Sequence, residues 1–193
     1  MKKTAWKPGT VMYPLPVVMV TCLDQVDERP NIITVAWTGI ANSDPAMLYI
    51  SVRRERFSHR LIAETGQFVV NLPTKELARV TDLCGVKSGA DVDKFALTGL
   101  TPQPATKVKP PVIAECPINI ECEVRNVLPL GSHDMFLGEI VAVDVDERLI
   151  DDKGRMDIAK AGLIAYVHGQ YWDLGKPLGK FGFSVQKKRR PRR

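Results

Sequence analysis

Two arginines shortly before a predicted helix start are the clearest candidates for binding an anion. Arg53 and Arg54 precede Ser58 and His59, and Ser58 is the expected N-cap of a helix at 58–64. The free N–H groups and the dipole of a helix N-terminus favour phosphate, and an arginine adds a charged, bidentate donor. A solvated basic turn with an ordinary serine cap is the alternative interpretation.

The stretch TVAWTGIAN at 34–42 could bind a flat heteroaromatic ring. It supplies hydroxyl, amide and backbone groups at the end of a predicted strand, and such groups match the nitrogen and oxygen atoms of a ring. The candidates are Thr34, Ala36, Trp37, Thr38 and Asn42. A strand and loop around a half-buried tryptophan would explain the same pattern. Together with the arginines, the stretch predicts a cleft for a phosphorylated ring ligand.

Two further segments carry groups that could complete such a cleft. Ser88, Lys94 and Phe95 in KSGADVDKF could form a flap, although a surface loop anchored by Phe95 is an equal alternative. His133 in GSHDMFLG follows a tight turn and could meet a second substrate, because imidazole suits hydrogen bonding and proton transfer. A structural or solvated histidine is the simpler interpretation of that position.

Strand patterns dominate the chain and would position these residues. Segments rich in Val, Ile, Tyr and Thr predict strands at 17–23, 31–40, 47–52, 68–72, 118–128, 135–145 and 163–172. Residues 118–125 alternate apolar and polar types, which predicts one buried and one exposed face. Helices are expected at 58–64, closed by Gly66, and at 75–83, with Thr74 as N-cap and Gly85 beyond the end. The irregular stretch at 86–117 indicates a segment that is either functional or wraps the core. The whole pattern predicts a mainly β barrel with short helical inserts.

The composition is that of an ordinary globular protein with a charged end. The chain has 193 residues, 45% hydrophobic and 25% charged, which fits a single domain. Its net charge of +5 is concentrated at 187–193, where KKRRPRR carries six positive charges, so the rest sums to 5 − 6 = −1. We therefore expect a domain at 1–186 and a disordered basic tail at 187–193.

Motif searches exclude several other chemistries at the level of sequence. The four cysteines form no CxxC pair and, with three scattered histidines, give no zinc-type spacing, so no metal site is expected. Neither GxGxxG nor GxxxxGK[ST] occurs, which argues against Rossmann and P-loop phosphate sites. The start has no secretory h-region and no apolar run is of membrane-spanning length, so a cytoplasmic location with reduced thiols is expected.

Taken together, the motifs resemble the flavin reductase-like family, an FMN-binding split barrel, close to its flavoredoxin and ferric-reductase branch. Each motif is loose, but their order and spacing extend over nearly the whole chain. They are PLPVVMVT at 14–21, NIITVAWTG at 31–39, SVRRERFSHRLI at 51–62, GQFVVNLP at 66–73, KSGADVDKF at 87–95, GSHDMFLGEI at 131–140 and YWDLGKPLGKFGFSV at 171–185.

The resemblance implies a homodimer of Greek-key split β-barrels, each binding one FMN near the dimer interface. By position, the isoalloxazine ring would be lined by Thr34, Ala36, Trp37 and Thr38. The ribityl phosphate would be held by Arg53, Arg54, Ser58 and His59, and the flap over the cofactor would consist of Ser88, Lys94 and Phe95. His133 would lie where a nicotinamide could stack.

The implied reaction is hydride transfer from NAD(P)H to FMN, followed by electron delivery to free flavin, a ferric chelate or a redox protein. Two alternatives stay open. Because the sequence has no nicotinamide-nucleotide fingerprint, the chain could be a flavoredoxin-type electron carrier without direct NAD(P)H activity. The basic tail at 187–193 would also permit a barrel that binds nucleic acid, although the body of the chain is not basic.

Overall fold

The computed structural model describes residues 1–185, and the expected basic tail lies outside these described residues. The strands are β1 Leu15–Pro16, β2 Val18–Leu23, β3 Pro30–Val35, β4 Thr38–Ser43, β5 Ala46–Arg53, β6 Gln67–Leu72, β7 Pro102–Gln103, β8 Val112–Ile113, β9 Ile118–Pro129, β10 His133–Val145, β11 Ile164–Val167 and β12 Gln170–Asp173. The helices are α1 Phe57–Thr65, α2 Ala78–Val86 and α3 Lys94–Thr98. The predicted mainly β fold with short helices is confirmed.

Seven strands form one antiparallel sheet in the order β3-β2-β6-β9-β10-β5-β4. Its two outer strands, β3 and β4, are consecutive in the chain and only Ala36 and Trp37 join them. The sheet must therefore curl until its edges meet, and the backbone N–H of Ser51 on β5 donates to the carbonyl of Trp37 at 2.8 Å. Within residues 1–185 no ladder pairs β3 with β4, so the curled sheet stays open there.

Both faces of the inner strands are covered, which explains the continuous apolar run on β2. Val18 and Val20 pack inside the curled sheet against Phe68 and Phe136. Met19, on the opposite face of β2, packs in a second cluster beneath α2 and α3. None of the helices in the described part of the chain is long and apolar enough to cross a bilayer.

The helix predictions hold in position, and the cap predictions hold for Gly66 and Thr74 but are wrong for Ser58 and Gly85. Helix α1 begins after Arg56, and Ser58 lies inside its first turn instead of capping it. Gly66 ends the helix in the left-handed conformation, at φ 64°, as predicted. The second helix starts with a short 3-10 turn at Lys75–Leu77 and continues as α2, which includes Gly85.

Two predicted strands are each broken in the structure. The strand expected at 31–40 is interrupted at Ala36 and Trp37, where the chain passes from one sheet edge to the other. The strand expected at 163–172 is the hairpin β11–β12, which turns at His168 and Gly169 with positive φ angles. This hairpin pairs with β1 in a separate three-stranded sheet, whose order is β1-β11-β12.

The irregular stretch after α2 wraps the outside of the large sheet, apart from α3 and the short β7–β8 pair. Its backbone N–H groups at Thr106, Lys107 and Val108 donate to the buried carboxylate of Glu121 on β9. Asn119 on the same face is also buried. The prediction of an exposed face on β9 is therefore wrong for the first half of the strand, because the irregular stretch covers that face.

Candidate functional site

Two adjoining cavities lie where the edges of the curled sheet meet. The large cavity has a volume of about 280 Å³ and the small cavity about 150 Å³. Ile33, Arg56 and Gly85 line both of them. The two cavities are therefore neighbouring parts of one elongated cleft.

The large cavity is bounded by four parts of the fold. The β3–β4 junction, the ends of β5 and β10, helix α2 and the hairpin β11–β12 each contribute side chains. Its main lining residues are Thr34, Ala36, Trp37, Ser51, Arg53, Asp82, Gly85, His133, Tyr166 and Tyr171. Aromatic and small side chains dominate this set, which favours a flat ligand.

His133 and Trp37 form one aromatic wall of the large cavity. Their rings are stacked, with centroids 6.2 Å apart and planes at 12°. The imidazole Nδ1 lies 2.9 Å from the Ser132 hydroxyl. Burial, assisted by the positive charge of Arg53 directly opposite on β5, lowers the pKa of His133 below its usual range. The imidazole at this wall is therefore neutral at neutral pH.

The hydroxyls of the two candidate threonines already have protein partners. Thr34 donates to the carbonyl of Thr81 on α2, and Thr38 donates to the carbonyl of Tyr49 at 2.7 Å. Thr34 lines the large cavity, whereas Thr38 lies beyond Trp37 and does not. Each hydroxyl can therefore only accept a hydrogen bond from a ligand, and only Thr34 faces the large cavity.

The small cavity is cationic and lies at the N-terminus of α1. Its lining includes three positive side chains, those of Arg56, Lys87 and Lys94. Glu55 is the one carboxylate among the residues that line this cavity. Ser58 in the first turn of α1 is 2% exposed. Its hydroxyl oxygen accepts from the Asn31 amide at 2.8 Å, which leaves the hydroxyl proton available to another acceptor. This donor set suits a phosphate group.

Lys94 is a buried cation fixed at the wall of the small cavity. Its ammonium donates to the carbonyls of Ile32 and Cys84, at 2.6 and 2.7 Å. Burial lowers its pKa, because removal from water disfavours the charged form. Two of its three N–H donors are used, so the third can serve an anion in the cavity, whose charge would compensate that of the ammonium.

Besides Thr38, four of the sequence candidates lie outside both cavities. Arg54 and His59 both bind Asp134, each at 2.9 Å, and hold the start of β10 against α1. The Asn42 amide donates to the carbonyl of Pro45 in the β4–β5 turn. Phe95 is packed in the apolar cluster beneath α2. Arg53 borders the large cavity instead of the small one.

Sequence reasoning missed several residues of the cleft. Arg56 lines both cavities and directly precedes α1, so its position before a helix start was a usable signal. Lys87, which lines the small cavity, directly precedes Ser88 in the segment already chosen for Ser88 and Lys94. Asp82 and Tyr171 meet only in the folded chain, where the Tyr171 hydroxyl donates to the Asp82 carboxylate at 3.2 Å.

The comparison with protein families decides the classification. Residues 10–174 match the family model described as the flavin reductase like domain. The chain belongs to the flavin reductase-like family. The matched residues include all three sheets and every residue that lines the two cavities.

Solved structures of the flavin reductase-like fold agree with this assignment. The flavoredoxin of Desulfovibrio vulgaris (Miyazaki F) is 34% identical, covers 96% of this chain and 100% of its own, and has a TM-score of 0.88. A flavoredoxin from Methanosarcina acetivorans is 30% identical with the same coverage and a TM-score of 0.85. A chain with a split barrel domain from Shewanella frigidimarina NCIMB 400 covers 86% of this chain and 85% of its own, at 19% identity and a TM-score of 0.77. The predicted split-barrel fold is confirmed.

Proposed function

We propose that this chain is an FMN-binding oxidoreductase, with the isoalloxazine ring in the large cavity and the phosphate in the small one. The observation that carries the proposal is the junction of an aromatic-lined cavity with a cationic one that contains the buried Lys94 ammonium. A ligand that fills both must be flat at one end and anionic at the other. The similarity to two flavoredoxins, at 34% and 30% identity, supports FMN as that ligand.

The charged groups and hydrogen-bond donors that line the two cavities match those that FMN would need. Arg56, Lys94 and the first turn of α1 would hold the phosphate, with the Ser58 hydroxyl as a further donor. Thr34 and the β3–β4 junction would lie along the ring. When bound, the flavin supplies the ability to accept a hydride and to pass electrons on singly or in pairs.

The chain itself would orient the ring and shape the access of the second reactant. The stacked pair of Trp37 and His133 forms an aromatic wall of the large cavity, along which a bound ring would lie. The neutral His133 imidazole can donate or accept a hydrogen bond without adding a charge. Arg53 lines the large cavity opposite His133 and is paired with Glu55 at 3.3 Å. Its guanidinium would be a donor for an anionic reactant such as a nicotinamide dinucleotide.

The electron source separates two versions of this function. In the first version, NAD(P)H reduces the bound flavin directly and electrons pass to a flavin, a ferric chelate or another small acceptor. In the second version, the chain is an electron carrier that a redox protein reduces. The similarity to two flavoredoxins supports this electron-carrier version as the second candidate function.

Reconstitution followed by anaerobic stopped-flow reduction tests these proposals in order. The purified protein should take up FMN stoichiometrically and show a structured visible flavin spectrum. A protein that takes up no FMN would contradict the proposed function. Rapid bleaching by NADH or NADPH alone supports a reductase, whereas slow bleaching by both with rapid reduction by ferredoxin supports a carrier.

We also propose that the protein is a homodimer, as the family resemblance implies. Large apolar side chains are exposed on the chain, including Ile40 on the edge strand β4 and Leu130 beside the β9–β10 turn. Exposed apolar groups of this kind are typical of interfaces. Light scattering of the purified protein measures the mass directly, and a monomer at micromolar concentration would contradict the homodimer.

A further inference from the structure

A third cavity lies on the other side of Trp37 from the large cavity. The two cavities described above, in which we propose that FMN binds, are together called the flavin cleft. The third cavity is an open groove of about 510 Å³, bounded by the N-terminal segment at 9–12, by Leu15 and by the start of β10. We call it the apolar groove. Its apolar lining consists chiefly of Val11, Met12, Leu15, Trp37, Leu130 and Met135.

The C-terminal arm, residues 174–185, is the complementary feature of the same chain. It follows β12 and all of its residues except Gly182 are exposed. Leu178 is 97% exposed and Phe181 is fully exposed, so these two large apolar side chains touch almost nothing in their own chain. Leu174, Phe183 and Val185 are also exposed. A segment with so many exposed apolar side chains is typical of one that packs on another surface.

We propose that the C-terminal arm of each chain packs into the apolar groove of a second copy. One chain carries both an unfilled groove and an unpacked apolar arm, and a two-fold dimer uses each of them twice. The arm has twelve residues and can span at most about 40 Å when extended. It starts from β12, whose sheet partner β11 pairs with β1 at Leu15, so the arm leaves its chain near the groove region.

This exchange would make the partner subunit part of the flavin site. Ala36, Trp37 and Ser51 line both the apolar groove and the large cavity. An arm in the groove would therefore support Trp37 from behind, on the side away from the flavin cleft. The proposal rests on the homodimer and the flavin site proposed above, and it specifies which surfaces join and why the site depends on them.

The full-length double variant Leu178→Asp/Phe181→Asp tests the arm directly. Both side chains are exposed within their own chain, so the monomer should fold. Burial of two carboxylates in the groove should weaken the dimer about 30-fold or more. The matched control Val26→Asp/Ile158→Asp adds the same charge at exposed apolar positions elsewhere and should leave the dimer intact. Mass is measured by light scattering over a dilution series.

A mixing experiment separates exchange between chains from packing within one chain. The groove variant Met12→Asp/Leu130→Asp should also dissociate, because both side chains line the groove. An equimolar mixture of the arm variant and the groove variant retains one intact arm–groove contact per heterodimer. Native mass spectrometry with a mass-tagged variant should then show heterodimers at concentrations where each variant alone is monomeric.

The outcomes distinguish this proposal from those on which it rests. An arm variant that dimerises as tightly as the control overturns the exchange and leaves the homodimer standing. Two variants that dissociate but form no heterodimer also overturn it, because the arm would then act within its own chain. A monomeric wild type contradicts both the exchange and the homodimer. FMN uptake by wild type is measured separately and alone decides the flavin site.

Discussion

At the scale of single residues, Arg53 and Arg54 show how neighbours with the same charge can have different roles. Arg53 faces the large cavity, where it lies opposite His133. Arg54 lies outside the cavities and binds Asp134, which also binds His59. Successive side chains at a strand end point to different sides, so the assignment depends on register. The sequence predicted both arginines at the phosphate, whereas Arg56 is the arginine that lines the small cavity.

The variant Arg56→Gln should weaken FMN binding about 10- to 100-fold, the range for loss of one charge-assisted hydrogen bond to an anion. Riboflavin, which lacks the phosphate, should bind wild type and variant equally. Fluorescence titration with each flavin measures both constants. Arg54→Gln is the matched control and should leave FMN affinity unchanged. Equal losses for FMN and riboflavin would place Arg56 at the ring instead of the phosphate.

At the scale of elements, a buried acid pair joins the wrapping stretch to the large sheet. Glu121 on β9 is fully buried and accepts three backbone N–H groups from residues 106–108. Asp144 on β10 lies beside it, and its buried Oδ2 has no donor among the described residues. Burial and the adjacent Glu121 charge raise the pKa of Asp144, whereas the three N–H groups lower that of Glu121. When the pair carries a single proton, Asp144 is therefore the carboxyl group that holds it.

The variant Asp144→Asn should remove a pH-dependent part of the stability. Asp144 has a raised pKa in the folded state, so its contribution is present below its usual value of 3.8 and is lost as the pH rises through the raised pKa. The asparagine amide can donate to Glu121 at every pH. The variant should therefore become more stable than wild type as the pH increases, in urea unfolding at a series of pH values.

The variant Glu121→Gln, at the other member of the acid pair, should lower the stability of the protein, in contrast to Asp144→Asn. A glutamine has one acceptor oxygen where the carboxylate has two, so backbone N–H groups of the wrapping stretch would lose their partner. We expect a loss of about 1–3 kcal/mol in the free energy of unfolding at neutral pH. Wild-type stability in this variant would show that the wrapping stretch is held by its apolar contacts alone.

The close approach of β10 to the core gives a prediction about packing. A Cβ at Gly138 would stand 2.8 Å from the Phe68 ring and 3.1 Å from Cys122 Cβ, and both neighbours are fully buried. Gly138→Ala should therefore destabilise the fold by about 1–3 kcal/mol. Thermal unfolding measures the loss.

At the scale of the whole molecule, the flavin cleft exists only because distant segments meet. The β3–β4 junction, the start of β10, helix α2 and the hairpin β11–β12 all border the large cavity.

All four cysteines are free and buried, where a reduced thiol packs as a small hydrophobic group. The cytoplasmic location and the nucleic-acid alternative stay predictions at this scale.

Deletion of residues 187–193 tests the separate basic tail. The shortened chain has a net charge of 5 − 6 = −1 and keeps every residue that lines the two cavities. FMN uptake should be unchanged, and any salt-sensitive binding of DNA or RNA should disappear. Electrophoretic mobility shifts and flavin titration are measured side by side. Loss of FMN uptake on deletion would contradict a separate tail.

The sequence by itself determined the elements and the kinds of groups available for binding. Alternating and continuous apolar segments predicted nearly every long strand, and the basic pair before a helix start pointed to an anion site, because these signals are local. Tertiary structure decided which groups converge. In the folded chain the predicted strand is interrupted at Trp37, and Glu121 is buried beneath the wrapping stretch. His59 and Asn42 bind other protein groups outside the cleft. Such outcomes depend on strand register and on contacts between segments far apart in the chain, which a local pattern does not contain.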